Sequence, residues 1–232
     1  MKKITCFCLV GVLLGASAFA QELKPTTPDV SDYIPLLKSA GYEVFTYDIS
    51  SLKDETYTFT LEVREYVNGE LVPAPPQHMV NEIESRVMIS DFSEESQERI
   101  RAEGLACDPE KGIYKLYTKM SIGFAPAAAD SLKQLVLSFD GAMRHGKRLT
   151  LKPVFAPGYD GRYIYDIRPF KREAFQTDGF TPLLLMGSYW YDERVKAFRF
   201  CGENEFSADL QSETLKLVPH YYVIGVVIKK VS

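Results

Sequence analysis

From Arg144 to Arg172 the chain places eight basic residues: Arg144, Lys147, Arg148, Lys152, Arg162, Arg168, Lys171 and Arg172. Only Asp160 and Asp166 oppose them, and Tyr159, Tyr163, Tyr165 and Phe170 are interleaved. Cationic groups on adjacent strands and turns make a surface that attracts anions, and rings between them add apolar contact area. The alternative is internal. Residues 21–110 hold 7 basic and 19 acidic residues, and residues 111–232 hold 18 and 12. The basic half can therefore face the acidic half of the same chain.

Tyr189-Trp190-Tyr191 is the second candidate. On a strand, Tyr189 and Tyr191 share one face and Trp190 takes the other. The two tyrosines can stack on a sugar or anchor a protein interface, while Trp190 is assigned to the core.

No residue is assigned a catalytic role. The sequence has no Gly-x-Ser-x-Gly elbow and no paired Ser-x-x-Lys, and Gly187-Ser188 reads as a packing or bulge position within a strand. Carboxylates are too numerous to single out an acid–base pair. His78, His145 and His220 are scattered without ligand spacing, and no acidic calcium loop is present. No metal and no cofactor are expected.

The start of the chain sets the expected compartment. Met-Lys-Lys, an apolar run from Ile4 to Phe19 and the exit Ala18-Phe19-Ala20 read as a secretory signal peptide over residues 1–20. Cys6 and Cys8 leave with it. No later apolar run is long enough to span a bilayer, which needs about 20 residues. The expectation is an exported protein, periplasmic, surface-bound or secreted, with no nucleic-acid partner. In that oxidising setting Cys107 and Cys201 can form a disulfide, whose closure the chain-entropy model values at roughly 4–5 kcal/mol. The alternative is two separate buried thiols.

The elements that must position these residues are mainly strands. His220 to Ile228 is almost entirely β-branched or aromatic, as in a strand buried on both faces, so the chain should end in the middle of a sheet. Thr56 to Val67 alternates, with Tyr57, Phe59, Leu61 and Val63 on one face, and stops at the hairpin pair Asn68-Gly69. Further strands are expected at 42–49 (with a change of face after Val44), 83–90, 113–124, 132–139, 149–155, 162–167, 181–191 and 195–201. The last two form a hairpin around Asp192-Glu193. Turns are expected at Asp140-Gly141 and His145-Gly146. A flexible leader, 21–30, precedes a short helix over 32–40 capped by Ser31, whose Ile34 and Leu37 should face the core. A second helical turn over 93–103 has Ile100 as its core contact. Residues 31–232 read as one β-rich domain, with a candidate internal boundary near 105–112.

Two resemblances add to this. Leu52-Lys53-Asp54-Glu55-Thr56-Tyr57 resembles the strand entry of immunoglobulin-like sandwiches, without their paired cysteines and buried tryptophan. The exit Ala18-Phe19-Ala20-Gln21, Phe200-Cys201-Gly202-Glu203 and the ending Val218-Pro219-His220-Tyr221-Tyr222-Val223-Ile224-Gly225 resemble the small secreted proteins of unknown function of gut Bacteroidales. That resemblance implies an envelope location and a β-rich fold and carries over no site residues. The sequence thus reads as an antiparallel β-sandwich-like domain with one or two short peripheral helices. Its expected role is a non-catalytic binding module of the cell envelope, for an anionic ligand or glycan or for an envelope protein. The competing classes are a glycan-acting hydrolase and an assembly subunit joined by strand addition.

Overall fold

The computed structural model describes residues 27–50, 57–73, 77–78, 83–84, 86–103, 105–115, 117–140, 143–171, 175–176, 178–200 and 204–230. The main strands are β1 (Glu43–Asp48), β2 (Tyr57–Val67), β3 (Lys119–Pro126), β4 (Leu132–Phe139), β5 (Met143–Thr150), β6 (Tyr165–Pro169), β7 (Phe180–Ser188) and β8 (His220–Lys230). They form two antiparallel sheets, in the orders β1-β3-β4-β5 and β6-β7-β8-β2. The short strands Glu70–Leu71, Gln77–His78 and Ile83–Glu84 extend the second sheet beyond β2. A small separate sheet joins Arg86–Met88, Ile113–Lys115 and Leu105–Asp108.

Alternation builds the core. Tyr47, Ile122, Phe124, Leu135, Leu137, Phe139 and Leu149 point from the first sheet into the same cluster as Phe59, Leu61, Val63, Ile167, Met186, Ile224 and Ile228 from the second. These two apolar faces pack as a β-sandwich. The second sheet has another apolar face. Leu185, Tyr221 and Val223 pack there against Phe206, Leu215, Val218, Trp190 and Phe200. The segment between β7 and β8 therefore covers the outside of the sheet. The last strand sits between β7 and β2 and is buried on both faces, as its composition requires. The chirality of the first hairpin also follows the sequence: Asn68 and Gly69 take φ of 51° and 82°, the left-handed pair that such a turn needs.

Several local expectations are corrected. The first helix, α1 (Val30–Ser39), is capped by Asp29, not Ser31, through a reciprocal box with Asp32. Its Ile34 and Leu37 are exposed, because no described element covers the helix. The β1 strand keeps one alternation throughout, with Phe45 and Tyr47 inward and Val44 outward, so there is no change of face. His145-Gly146 is not a turn. Both residues pair along β4, opposite Leu137 and Val136, and this ladder overrides the local turn preference. The expected 113–124 strand is two strands in different sheets, parted before Lys119 where the Asp140 carboxylate accepts from the Thr118 N–H at 2.6 Å. The 181–191 strand breaks at Tyr189, and the hairpin beyond it pairs Trp190–Asp192 with Ala197–Arg199. The expected 83–90 strand is short pieces that end in a 3-10 turn at Ile89–Asp91. The second helix, α2 (Glu94–Glu103), buries Ile100 as expected.

Candidate functional site

Where β1 and β4 begin and β3 and β5 finish, the sheets part around a cleft of roughly 530 Å³. Leu151, Ile167 and Met186 give it an apolar wall. Tyr163 and Tyr165 line it, and Glu43, Asp130, Lys133 and Arg162 bring two charges of each sign. Glu43 reaches it because the alternation that turns Phe45 and Tyr47 inward turns Glu43 inward too, at the strand's open end. Its carboxylate is half-buried, and no described residue gives it a hydrogen bond or a direct ion pair. Burial pushes its pKa up, opposed by the Lys133 charge. Burial likewise pushes the Lys133 amine down, and that amine donates to the Gly41 carbonyl at 2.8 Å.

Behind Tyr165 lies a part-buried polar tie across three strands of the second sheet, bonded to the end of β5. The Tyr165 hydroxyl meets His220 Nδ1 at 2.5 Å and accepts from the Lys152 N–H at 2.9 Å. His220 Nε2 meets Glu65 Oε1 at 3.1 Å. A carboxylate only accepts, so Nε2 carries the proton and Nδ1 accepts from the tyrosine. Lys152 Nζ approaches the same Glu65 oxygen at 3.8 Å. The His220 N–H donates to Ser188 Oγ at 3.2 Å, and Tyr222 donates to the Thr150 carbonyl at 2.8 Å. Burial lowers the His220 pKa against the pull of Glu65 and so keeps the ring neutral. Burial also raises the Tyr165 hydroxyl well above its ordinary value. Both protons stay in place near neutrality, so the tie keeps one arrangement and clamps the second sheet to the end of β5.

A second cleft, about 490 Å³, opens on the covering segment between Trp190, Asp192, Arg194, Arg199 and Leu217. The Asp192 carboxylate is buried and accepts from the Arg194 N–H at 3.0 Å and from Arg199 Nη1 at 2.9 Å. The hydrogen bonds from Arg194 and Arg199 lower its pKa to about 2. Ring contacts run from here towards the first cleft. Tyr191 meets Phe198 edge-on at 5.6 Å, Phe198 meets Tyr159 at 5.7 Å, and the Arg162 guanidinium lies 4.6 Å from the Tyr159 ring.

The basic residues of the 144–172 stretch do not share one surface. Arg148 is exposed on the outer face of the first sheet, whereas Lys147, beside buried Leu149, faces inward and is half-buried. Arg168 lies on the outer face of the other sheet, held by Asp166 at 2.6 Å and set 5.4 Å from the Phe200 ring. Lys152 pairs with Glu65, Arg162 stands at the cleft, and Lys171 is exposed. Arg172 and the Arg144 side chain lie outside the described residues. Tyr189 is half-buried against Phe200 at 5.3 Å, and Tyr191 lines the second cleft. Cys201 and the Cys107 side chain also lie outside the described residues, as do residues 1–20. Among the described residues, no three His, Cys, Asp or Glu side chains gather as a metal-ligand set. Sequence reasoning missed Glu43, Lys133 and the Tyr165–His220–Glu65 tie. A histidine opening an otherwise apolar strand was the available signal, since a buried ring nitrogen needs a partner.

The fold and its clefts define a two-sheet antiparallel sandwich domain with an open end. The chain belongs to the DUF5041 family, a domain of unknown function, whose pattern matches residues 12–230. Neither the curated proteins nor the solved structures contain a match to it. No helix among the described residues is long and apolar enough to cross a membrane.

Proposed function

We propose that this domain is an exported, non-catalytic binding module of the bacterial cell envelope, and that its ligand is a glycan held in the inter-sheet cleft. The observation that carries this reading is the half-buried Glu43 carboxylate, without a direct partner among the described residues, in a cleft that also holds Lys133, Arg162 and two tyrosines. Sugar hydroxyls donate to carboxylates and accept from ammonium and guanidinium groups, and the apolar face of a sugar ring rests on tyrosine or aliphatic walls. The four charged side chains offer hydrogen-bond donors and acceptors together, which suits the hydroxyls of a sugar. A glycan hydrolase is the second reading. It rests on Glu43 and Asp130 sharing the cleft, with the Glu43 pKa raised by burial as a general acid requires.

Titration calorimetry against maltohexaose, cellohexaose, xylohexaose and mannohexaose tests both. At least one is expected to bind, with affinity falling tenfold or more in Glu43→Gln and Tyr163→Ala and unchanged in Arg148→Glu. Binding that ignores both cleft variants, or no binding across the panel, refutes the cleft. Shortened products in the same samples convert the module into the hydrolase.

A further inference from the structure

We infer that the second cleft is a subsite for an anionic sugar, one bearing a carboxylate or a sulfate, on the same glycan. The inference rests on the cleft reading above and adds the substrate class. Asp192 is buried, and its two oxygens are engaged by Arg194 and Arg199. It uses Nε and Nη2 of Arg194, at 3.3 and 3.5 Å, and Nη1 of Arg199. A guanidinium has five N–H donors in a fixed fork, so each arginine keeps donors pointing away from Asp192. The Arg194 side chain is 86% exposed and that of Arg199 51%, so those donors face solvent at the cleft. Holding both guanidiniums before a ligand arrives reduces the ordering cost of binding, and the fork matches the two oxygens of a carboxylate or sulfate. Asp192 stays ionised far below neutrality and keeps the pair in place.

Trp190 supplies an apolar wall to the same cleft. Continuity with the first cleft points to one polymer spanning both. Arg162 lines the first cleft and covers Tyr159, Tyr159 meets Phe198, Phe198 meets Tyr191, and Tyr191 lines the second. Tyr159 is 48% exposed, so this row of rings is reachable by a chain lying across it. Glu193, in the hairpin turn, also lines this cleft.

The test compares hexagalacturonate and a sulfated galactan hexamer with neutral galactohexaose, in the full protein and in Arg199→Gln and Arg194→Gln variants. Galactohexaose serves as the uncharged reference. An acidic hexamer is expected to bind at least tenfold tighter than the neutral one. Both arginine variants are expected to abolish that difference and to leave neutral-glycan binding untouched. Whether the carboxylate or the sulfate gives the advantage identifies the anion. Equal affinity of acidic and neutral hexamers, or an advantage that survives both variants, overturns the inference. Acidic binding that is lost in Arg199→Gln but unchanged in Glu43→Gln leaves this subsite standing and refutes the first cleft.

Discussion

Gly225→Ala is expected to destabilise the fold by about 2–3 kcal/mol, measured as a drop in the urea midpoint at unchanged slope. Gly225 sits in the middle of β8, where that strand is buried on both faces. A Cβ there would collide with the Thr181 carbonyl oxygen and come within 2.6 Å of the Phe180 ring. That ring is clamped from above: the Arg64 guanidinium lies 3.7 Å from its centroid, and Arg64 is held by buried Glu62 at 2.6 Å. The pairing of β7 with β8 slips between Pro182 and Leu184, which brings this stretch of β7 close to the glycine. The lower backbone entropy of alanine in the unfolded chain returns less than about 1 kcal/mol, so overpacking wins. A variant as stable as the parent would mean that the register between β7 and β8 is wrong.

His220→Ala is expected to cost about 3 kcal/mol, from the cavity left by a ring only 2% exposed and from the partners it strands. The Tyr165 hydroxyl loses its nearer acceptor, keeping only the Lys152 carbonyl at 3.3 Å, and Glu65 loses its ring donor. The same residue sets a pH dependence. Its folded pKa lies below the 6.5 of an unfolded histidine, because burial outweighs Glu65, with Lys152 also opposing the charge. The stability it contributes is therefore complete above pH 6.5 and declines as pH falls through and below that value, where only the unfolded ring takes up a proton. The decline levels off once pH passes the folded pKa. Urea midpoints from pH 8 to pH 5 should fall for the parent and fall less for His220→Ala, whose missing share isolates this ring from His78 and His145. Parallel pH profiles would show that His220 is not held neutral in the fold.

What could be read in advance divides by the range of the interaction. The alternation of Tyr57 to Val63, the Asn68-Gly69 turn and the apolar run of β8 are local patterns, and each appears where the sequence put it. The basic stretch looked like a surface because eight cations are close in sequence. Strand alternation then sent Lys147 inward, and the two sheets put Arg148 and Arg168 on opposite outer faces. Glu43 and Lys133 are about ninety residues apart in the chain and were invisible as a pair. Only the pairing of β1 and β4 on either side of β3 brings them to one cleft. The Tyr165–His220–Glu65 tie likewise needs three strands of the finished sheet. Helix α1 shows the converse failure. The helix forms, but its Ile34 and Leu37 have no described surface to meet and stay exposed.

The most direct test of the central claim, that the inter-sheet cleft is the ligand site, is an amide NMR titration of the protein with whichever neutral hexasaccharide binds best in the calorimetric panel. The shifts are predicted to cluster on Glu43, Lys133, Tyr165 and Met186, from both sheets, and on Tyr163 in the connection before β6, which together line that cleft. Shifts confined to the outer face around Arg148, or none at saturating sugar, would contradict the account.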